Sequence, residues 1–531
     1  MDLVLLSASA TFLILAVLWL RQLFSKRKLP LPPGPKALPV IGNIRDLASD
    51  EVHVKMRNWS RELGDDVISL NVLGNTIIVL NSAQAVSDIF DKRGNKYSDR
   101  PDLPMIVDLM GWDWTFALMR YGTRWREHRR VFHSHFNHSV SEHQHLQLGI
   151  AQELLALLTR SPDKFVEHLR HYTAHIIMKR VYGHTVKDNT DRYVRLVEAA
   201  SASTSEAALP GAFLVDLFPS LKYVPEWMPG AGFKTKAREW RKLSQDMINA
   251  PYDMVKAKFM RGNAEPCFVS TCLEQNNASE AAGKGEILTE ELIKDTAAVA
   301  YAAGADTSVS TLTTFMLAMT LYPEAQKRAQ AEIDAHLGSF ERLPTFADKD
   351  ALPYVAALVK EVLRWIPVLP LAVPHRAMED DQYKCYHIPK DATVMGNTWA
   401  ILHNEEVFPE PERFKPDRFI KDHRLPDPAD SGVFGFGRRC GLSFASSCVW
   451  GLMLSLYSAC AGKSMALDTI WIAIASVLTV FDINKAKDAY GQEITPEVRL
   501  NPGTISYPAP FKCSIEPRSK AALALIQQGQ H

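Results

Sequence analysis

Cysteine is scarce in this chain, which has seven among its 531 residues, at positions 267, 272, 385, 440, 448, 460 and 513. They form no paired framework, so the sequence argues against a disulfide-stapled fold and indicates a reducing compartment, with at least one cysteine free to act as a ligand. A charge excess is lacking too, because 60 basic side chains balance 60 acidic ones. The composition therefore gives no support for a nucleic-acid partner, which would favour a clustered basic excess.

Long apolar runs are also lacking, except at the amino terminus, where residues 3–20 carry no charge. As a helix this run would span about 27 Å at ~1.5 Å per residue, which matches the endoplasmic-reticulum bilayer at roughly 27 Å. Basic residues follow at positions 21, 26, 27 and 28, and they predict that the rest of the chain is cytosolic. We therefore predict a membrane anchor at residues 1–20 and a single-pass location in the endoplasmic reticulum membrane. A cleaved signal peptide is disfavoured, because the run exceeds the usual length and no small-residue cleavage site follows.

The remaining sequence is predicted to form a hinge and one body. Residues 21–36 are basic and then rich in proline, which fixes φ and removes a hydrogen-bond donor, so this hinge is expected to be stiff. Residues 37–531 contain no internal repeat and no clear boundary, so we expect one domain. Its patterns predict a mainly α fold with a minor β-sheet region, with strands near 67–80 and helices from about 82 to 369. Residues 264–284 are predicted to be a surface linker.

The segment Ala-Gly-Ala-Asp-Thr-Ser at 303–308 lies within a predicted helix from 290 to 321. Glycine inside a helix costs roughly 1 kcal/mol relative to alanine, so Gly304 needs a reason, such as the close approach of a ligand. Asp306 and Thr307 beside it offer an acid and a hydroxyl that could relay protons to bound oxygen. The alternative is a helix-packing site of small residues with a solvated aspartate.

Glu361 and Arg364 form a Glu-x-x-Arg pair, which places both side chains on one face of a helix. This pattern is common and carries little weight by itself. A proline-broken segment further along contains Pro-Glu-Arg-Phe at 411–414. We predict that Arg413 of this segment completes a buried Glu–Arg–Arg set, which would be structural and would lock the loop that follows.

The segment Phe-Gly-Phe-Gly-Arg-Arg at 434–439 is closely followed by cysteines. A glycine-rich loop lets backbone amides point at a thiolate and lower its pKa, as an anionic ligand requires. Arg439 can pair with a carboxylate through two hydrogen bonds. Haem needs both kinds of group, because its iron takes an axial thiolate and its propionates attract cations.

The order of these features, with Trp-x-x-x-Arg at 125–129, resembles the cytochrome P-450 family over nearly the whole chain, most closely its fungal microsomal members. The resemblance implies the mostly helical cytochrome P-450 fold (α+β), preceded by one N-terminal transmembrane helix, and makes residues 37–531 a haem-thiolate catalytic domain. It implies heme b (iron-protoporphyrin IX) with an axial cysteine thiolate. It also implies NADPH-cytochrome P-450 reductase as the electron donor, with cytochrome b5 as a further candidate.

The resemblance also implies roles for individual residues. Trp125, Arg129 and Arg376 would contact the haem propionates. Asp306 and Thr307 match the family's catalytic acid–alcohol pair. The family's structural triad corresponds to Glu361, Arg364 and Arg413.

The cysteine loop departs from the family pattern, because Arg439 is followed at once by Cys440, whereas the family has one residue between arginine and cysteine. Residues 459–466 fit the second half of the family pattern at every defined position, and joining Arg439 to them restores the loop without a gap. We therefore interpret residues 440–458 as an insertion or a retained intron. Cys460 is then the predicted thiolate ligand of the iron, with Arg439 on the propionate side, and Cys440 is the alternative ligand.

Three further segments are interpreted from composition. Residues 103–116 carry methionine and tryptophan in a loop-like stretch and are either ordinary core or a lid over the substrate. Residues 210–230 could likewise be a flexible access flap that dips into the membrane. A run of histidines between 133 and 145 has no cysteine or carboxylate set to complete a metal site, and is interpreted as a polar surface connection.

The predicted function is that of a membrane-bound haem-thiolate monooxygenase. It would hydroxylate or epoxidise an apolar organic substrate, either a secondary metabolite or a xenobiotic, with O2 and electrons from NADPH passed on by a reductase. A haem-thiolate isomerase or dehydratase is one alternative, which the intact Asp306–Thr307 pair disfavours. A non-catalytic, haem-free membrane protein is the other, because the cysteine loop is interrupted.

Overall fold

A computed structural model describes most of the chain, in the ranges 29–47, 51–136, 140–188, 190–209, 211–285, 287–437, 460–501 and 503–528. The predicted anchor at residues 1–20 and the first half of the predicted hinge, residues 21–28, lie outside the described residues. Arg439, Cys440 and the rest of the predicted insertion lie outside them as well.

The fold is mainly helical, as the sequence predicts. In chain order the longer helices are α1 (Val52–Leu63), α2 (Thr123–Phe136), α3 (Val140–Arg160), α4 (Phe165–Tyr182), α5 (Arg192–Ala207), α6 (Gly232–Met260), α7 (Phe268–Ala281), α8 (Glu290–Leu321), α9 (Pro323–Leu337), α10 (Pro353–Trp365), α11 (Lys463–Val480) and α12 (Lys520–Gln528). Short helical turns join them.

The strands form three small sheets in the described ranges. They are β1 (Val67–Val72), β2 (Asn75–Leu80), β3 (His375–Arg376), β4 (Asp381–Tyr383), β5 (Tyr386–Ile388), β6 (Thr393–Gly396), β7 (Phe481–Lys485) and β8 (Cys513–Pro517). The largest sheet has the order β1-β2-β6-β3, in which β2 and β6 are parallel and the other neighbours antiparallel. The pairs β4-β5 and β7-β8 form the two others.

Helix α8 runs through the core and packs against α4, α11 and α2. The helix begins after Thr289, whose side chain accepts a hydrogen bond from the amide of Leu292 at 3.2 Å, and it ends just before Pro323. An N-cap hydroxyl and a proline beyond the end are the expected boundary signals. The predicted helix from 290 to 321 is therefore confirmed, and it carries the 303–308 segment into the centre of the molecule.

Two sequence interpretations are wrong. The segment 264–284 is not a linker, because α7 occupies most of it and buries Val269 and Cys272 completely. The exposed residues Glu274, Gln275, Asn277 and Glu280 give the helix its polar composition, although Ser270, Asn276 and Ser279 are buried with the apolar residues. The histidine run is not wholly at the surface either, because His143 is only 5% exposed.

Helix α11 has the length and composition of a membrane span, but 72% of it is buried inside the fold. It packs against α3, α8 and α10. The apolar residues that follow Cys460 in the sequence therefore form a core helix. It is the one helix of this composition among the described residues.

The buried Glu–Arg–Arg set exists, but its third member is Arg418 and not Arg413. Arg364 donates to both carboxylate oxygens of Glu361, at 2.8 and 2.9 Å, and both side chains are fully buried. The Nε atom of Arg418 lies 3.2 and 3.1 Å from the same two oxygens. Arg413 instead has a side chain that is 65% exposed and pairs with Glu410 at the surface.

The chain contains a second Arg-Phe pair five positions after the first, and this explains the error. The backbone after α10 places residues 409–413 at the rim of the set, where the carbonyl of Pro409 accepts a hydrogen bond from Arg418 at 2.9 Å. Only the later arginine reaches the carboxylate. Spacing alone could not distinguish the two pairs.

Candidate active site

A cavity of about 310 Å³ lies in the core between α8, α2, α4, the start of α11 and the loop before β3. Its lining is mostly apolar and includes Phe116, Phe132 and Ile176. Ala303 is exposed although it lies in the middle of a helix that is otherwise largely buried, because it faces this space. The cavity therefore brings together segments that are far apart in the sequence.

Cys460 lies in the wall of this cavity, three residues before α11 begins. The amide of Gly462 donates a hydrogen bond to its sulfur. Burial raises the pKa of the Cys460 thiol, while this amide and the positive charge of Arg129 oppose the shift. The position in front of a helix N-terminus also favours a thiolate. These are the features expected of a sulfur that binds a metal centre.

Two of the predicted propionate contacts, Trp125 and Arg129, lie in the cavity wall one turn apart on α2. Arg100 and His375 lie in the same wall, and sequence reasoning missed both. Arg100 is 9% exposed, and its Nη1 donates to the carbonyl of Val373 at 2.8 Å. Buried cations beside an apolar cavity attract an anionic group, such as a propionate.

Arg376 does not line the cavity. Its Nε donates to Asp391 at 2.8 Å, and its Nη1 lies 3.8 Å from Asp99. Neighbouring residues of a strand point to opposite faces, so His375 faces inward where Arg376 faces away. The Nδ1 atom of His375 lies 2.6 Å from the carbonyl oxygen of Tyr97. The alternation of β3 is the signal that could have placed the histidine instead of the arginine.

The two predicted catalytic residues occupy different sides of α8. Thr307 lines the cavity, and its Oγ1 donates to the carbonyl of Ala303 at 2.9 Å. Asp306 points away from the cavity, and its Oδ1 accepts a hydrogen bond from the Tyr507 hydroxyl at 3.1 Å. Arg170 of α4 lies 4.0 Å from the same carboxylate. The acid is thus held behind the wall that carries the alcohol.

The structure supports both sequence readings of Gly304. The residue lines the cavity, and it also packs tightly against α4. A Cβ atom built on it would lie 2.6 Å from Cδ1 of Ile177, closer than such atoms approach. A larger residue would therefore require the Ile177 side chain to move.

The donor set of the cavity fits haem. A cysteine sulfur lies in the same wall as the cationic side chains Arg100 and Arg129, and the rest of the lining is mostly apolar, which suits an apolar macrocycle. Phe436 of the glycine-rich segment packs on Gly396, where a Cβ atom would lie 2.5 Å from the ring. Glycine at position 396 therefore leaves room for the Phe436 ring, which lines the same cavity as Cys460.

Residues 103–116, which the sequence predicts to be either ordinary core or a lid, are mostly core. Met105, Met110 and Trp112 are buried, whereas Phe116 lines the cavity. The amide of Met105 donates to Asp216 of the predicted flap at 2.8 Å. Lys222 of the flap also donates to Asp108 at 2.7 Å, so two side-chain contacts tie residues 103–116 to the flap.

Comparison with known proteins gives consistent matches. The family model described as Cytochrome P450 matches residues 32–449. A cytochrome P450 monooxygenase of Armillaria gallica is 66% identical over 525 residues, which covers 98% of each chain. One from Postia placenta is 41% identical over 98% of this chain and 96% of its own. A tryptamine 4-monooxygenase of Psilocybe cyanescens is 37% identical over 94% of this chain and 95% of its own.

Proposed function

The chain belongs to the cytochrome P450 family, and from that premise we propose that it is a membrane-attached monooxygenase that oxidises a neutral, apolar organic molecule. Membership makes it an oxidoreductase that binds haem through a cysteine and acts on a small molecule with electrons from a redox partner. The finer assignments below concern the ligand, the proton donors, the membrane and the substrate.

We assign Cys460 as the iron ligand. The matched range of the family model contains Cys440 and ends before Cys460, so the assignment depends on position in the fold. Cys460 shares the cavity wall with Arg129 and lies at the start of a core helix that packs on α8. The position of Cys460 in the wall of this cavity is the single observation on which the proposed haem-dependent function depends most.

When bound, the haem supplies O2 activation, in which one oxygen atom enters the substrate and the other leaves as water, with electrons drawn from NADPH through NADPH-cytochrome P450 reductase. Thr307 presents its hydroxyl to the cavity and holds a proton there. Asp306, behind it, passes protons from the solvent side towards that hydroxyl. The apolar lining keeps bulk water out, so that protons arrive mainly by this route. Arg100, Arg129 and His375 would hold the propionates.

The substrate class follows from the charges around the cavity. Among the described lining residues there is no aspartate or glutamate, and the charged groups present are cationic. A protonated amine would find no counter-charge, whereas a neutral apolar molecule needs none. We therefore expect this chain to differ in substrate from its relative that is named for tryptamine.

Membrane attachment is supported by exposed apolar side chains on two segments, one just after the hinge and one in the predicted flap. Val40 is 87% exposed, and Trp227 and Tyr223 of the flap are 81% and 77% exposed. The two segments are adjacent, because a Cβ atom on Gly211 would lie 3.8 Å from Ile44. Aromatic and apolar groups exposed together favour a bilayer interface. With the predicted anchor at 1–20, these side chains would hold the flap against the endoplasmic reticulum membrane.

The test is a reconstitution of the full chain with haem, reductase and NADPH. Neutral apolar compounds, such as terpenoids and fatty-acid esters, are compared with matched primary amines, and isotopically heavy O2 labels the product. We expect labelled product from the neutral compounds only. Turnover of amines in preference would overturn the substrate class, and rearranged products without label would favour the isomerase alternative.

A further inference from the structure

Three metal-ligating side chains form a cluster on the side of α4 that faces away from the cavity. They are Glu153 of α3 and His171 and His175 of α4. The nitrogen and oxygen atoms that could bind an ion all lie within 4.8 Å of one another. None of the three lines the cavity. The cluster is therefore separate from the site described above.

The spacing of the two histidines brings their rings together. Residues four apart on a helix lie on one face, and the ring centroids of His171 and His175 are 5.7 Å apart. The Nδ1 atom of His175 lies 3.0 Å from Oε2 of Glu153. A tetrahedral zinc ion with bonds of about 2.0–2.2 Å places its ligand atoms roughly 3.4 Å apart. The three atoms, now within 4.8 Å of one another, need to approach by no more than about 1.4 Å to reach that separation.

The surroundings of the cluster are rigid on one side and open on the other. Both histidines are buried, at 6% and 4% exposure, and α3 and α4 pack along their lengths. The Glu153 side chain is 53% exposed, so an ion can reach the cluster from solvent. It is the one group of this composition within the described ranges, and the histidine run between 133 and 145 forms none there.

We propose that Glu153, His171 and His175 form a binding site for Zn²⁺, with water in the fourth position. Imidazole nitrogen with a carboxylate oxygen is a donor set that zinc favours, and sites with three protein ligands keep a position open. The ion joins α3 to α4. Since Thr173 of α4 donates to the carbonyl of Ala305 at 2.9 Å, the ion also steadies the helix against which α8 rests.

The hydrogen bond between Glu153 and His175 could exist without any metal. His171 distinguishes the two explanations, because that hydrogen bond does not involve it. His168 provides a matched control on the same helix, since its Nε2 contacts Ser161 and it does not belong to the cluster. Zinc binding must therefore depend on His171 and not on His168.

The experiment is equilibrium dialysis of the untagged holoenzyme against radioactive Zn²⁺, with thermal unfolding measured in parallel. We expect one ion per chain in the parent. In His171→Ala and in His175→Ala the affinity for zinc should fall by roughly tenfold or more. His168→Ala should bind as the parent does. Zinc should raise the unfolding temperature of the parent but not of His171→Ala. The carbon monoxide spectrum confirms that each variant is folded around its haem.

Three results would overturn the site. One is the absence of saturable binding by the parent, and another is an equal loss of affinity in His168→Ala. The third is a loss of binding when His133 and His145 are substituted, which would move the ion to the histidine run. Normal turnover without zinc binding would leave the monooxygenase proposal standing, so the two proposals fail separately.

Discussion

The sulfur of Cys460 and the charge of Arg129 face the same cavity, and this pairing gives the first prediction. Cys460→Ala removes the ligand that we assign to the iron, so the carbon monoxide spectrum typical of thiolate ligation should be lost. Cys440→Ala is the matched control and should keep that spectrum, because Cys460 remains in the wall. The opposite pattern in the two variants would transfer the ligand to Cys440.

Tyr507 positions Asp306 from outside the cavity. Its hydroxyl donates to the carbonyl of Asp306 at 2.8 Å and to Oδ1 at 3.1 Å. Burial raises the pKa of Tyr507 far above its usual value, with the charge of Asp306 adding to the shift, so the hydroxyl stays protonated. The phenol therefore fixes where the carboxylate lies while the reaction draws protons from it.

Tyr507→Phe should keep haem binding but lower product formed per NADPH by about threefold, because a hydrogen bond to a charged group contributes about 1.5–3 kcal/mol and part of it is replaced by water. The solvent isotope effect on turnover should change as well. Tyr301→Phe is the control. Tyr301 lies on α8, as Asp306 does, but its hydroxyl donates to the backbone carbonyl of Tyr193. An equal effect of both substitutions would mean that Tyr507 only stabilises the fold.

Residue-level prediction from the sequence succeeded where a role needs one side chain at one helical position. Trp125, Arg129, Thr307 and Cys460 line one cavity, and the roles that the motifs assign to them stay predictions. The prediction for Arg376 was wrong. Both residues of β3 could contact a propionate, and which of them faces the cavity depends on how β3 pairs with β6. Arg100 lies in no periodic pattern and could be placed only by the fold.

Among the elements, α10 and the segment around Arg418 are locked together by buried charge. Arg418→Ala would remove a donor from Glu361 and leave the carbonyl of Pro409 without its partner. We expect a loss of about 3 kcal/mol in the free energy of unfolding, measured in urea, together with lower haem content. Arg413→Ala should change it by less than about 0.5 kcal/mol, because its ion pair is exposed. Similar losses in both variants would restore Arg413 to the set.

Asp216 makes one of the contacts between residues 103–116 and the flap, because its carboxylate accepts a hydrogen bond from the Met105 amide. Burial raises the pKa of Asp216 to about 6, and the amide only partly opposes this. In the unfolded chain the pKa is about 3.9. The folded state therefore binds the extra proton between these values, and Asp216 costs stability as pH rises from about 4 to 6.

Asp216→Asn cannot ionise, yet its side-chain oxygen can still accept the Met105 amide. The variant should be more stable than the parent above pH 6, by on the order of 1 kcal/mol, and the difference should vanish near pH 4. Unfolding temperatures of the two proteins across this range give the answer. If the difference in stability does not change with pH, Asp216 does not have the raised pKa that we assign to it.

Prediction of the elements depended on how clear their ends are. Helix α8 has a threonine cap, a long apolar body and a proline beyond its end, and its bounds match the prediction. Cys267 is the N-cap residue of helix α7. Its sulfur accepts a hydrogen bond from the amide of Ser270 at 3.4 Å, where a capping oxygen is usual. A cap of that kind carries no sequence signal, and the polar composition favoured a loop.

At the scale of the whole molecule, the segment 440–458 separates the two halves of the haem loop. Phe436 and Cys460, which flank this segment in the sequence, line the same cavity. The entropy cost of a longer loop grows only as the logarithm of its length. Poor positioning of the sulfur is therefore the larger harm, because a ligand loop must hold its donor within about 0.5 Å.

A variant that lacks residues 440–458 should bind more haem per chain and turn over faster than the chain as written. Haem content by absorbance and turnover with reductase measure this. Sequencing of the mature transcript is the companion test. A transcript that retains the whole segment, together with a shortened protein that loses haem, would make the segment a genuine part of this loop.

The packing of the 503–511 segment on α8 has a consequence for how the enzyme is made. Ser310 of α8 donates to the carbonyl of Ser506, and the Tyr507 hydroxyl reaches Asp306. Both of these contacts, and Cys460, come from residues that are synthesised after α2, α4 and α8. Domains synthesised first tend to fold first, but here the earlier helices meet an incomplete pocket. We therefore expect haem to bind after residues 503–511 have been made, and the apolar walls of the pocket to stay exposed until then.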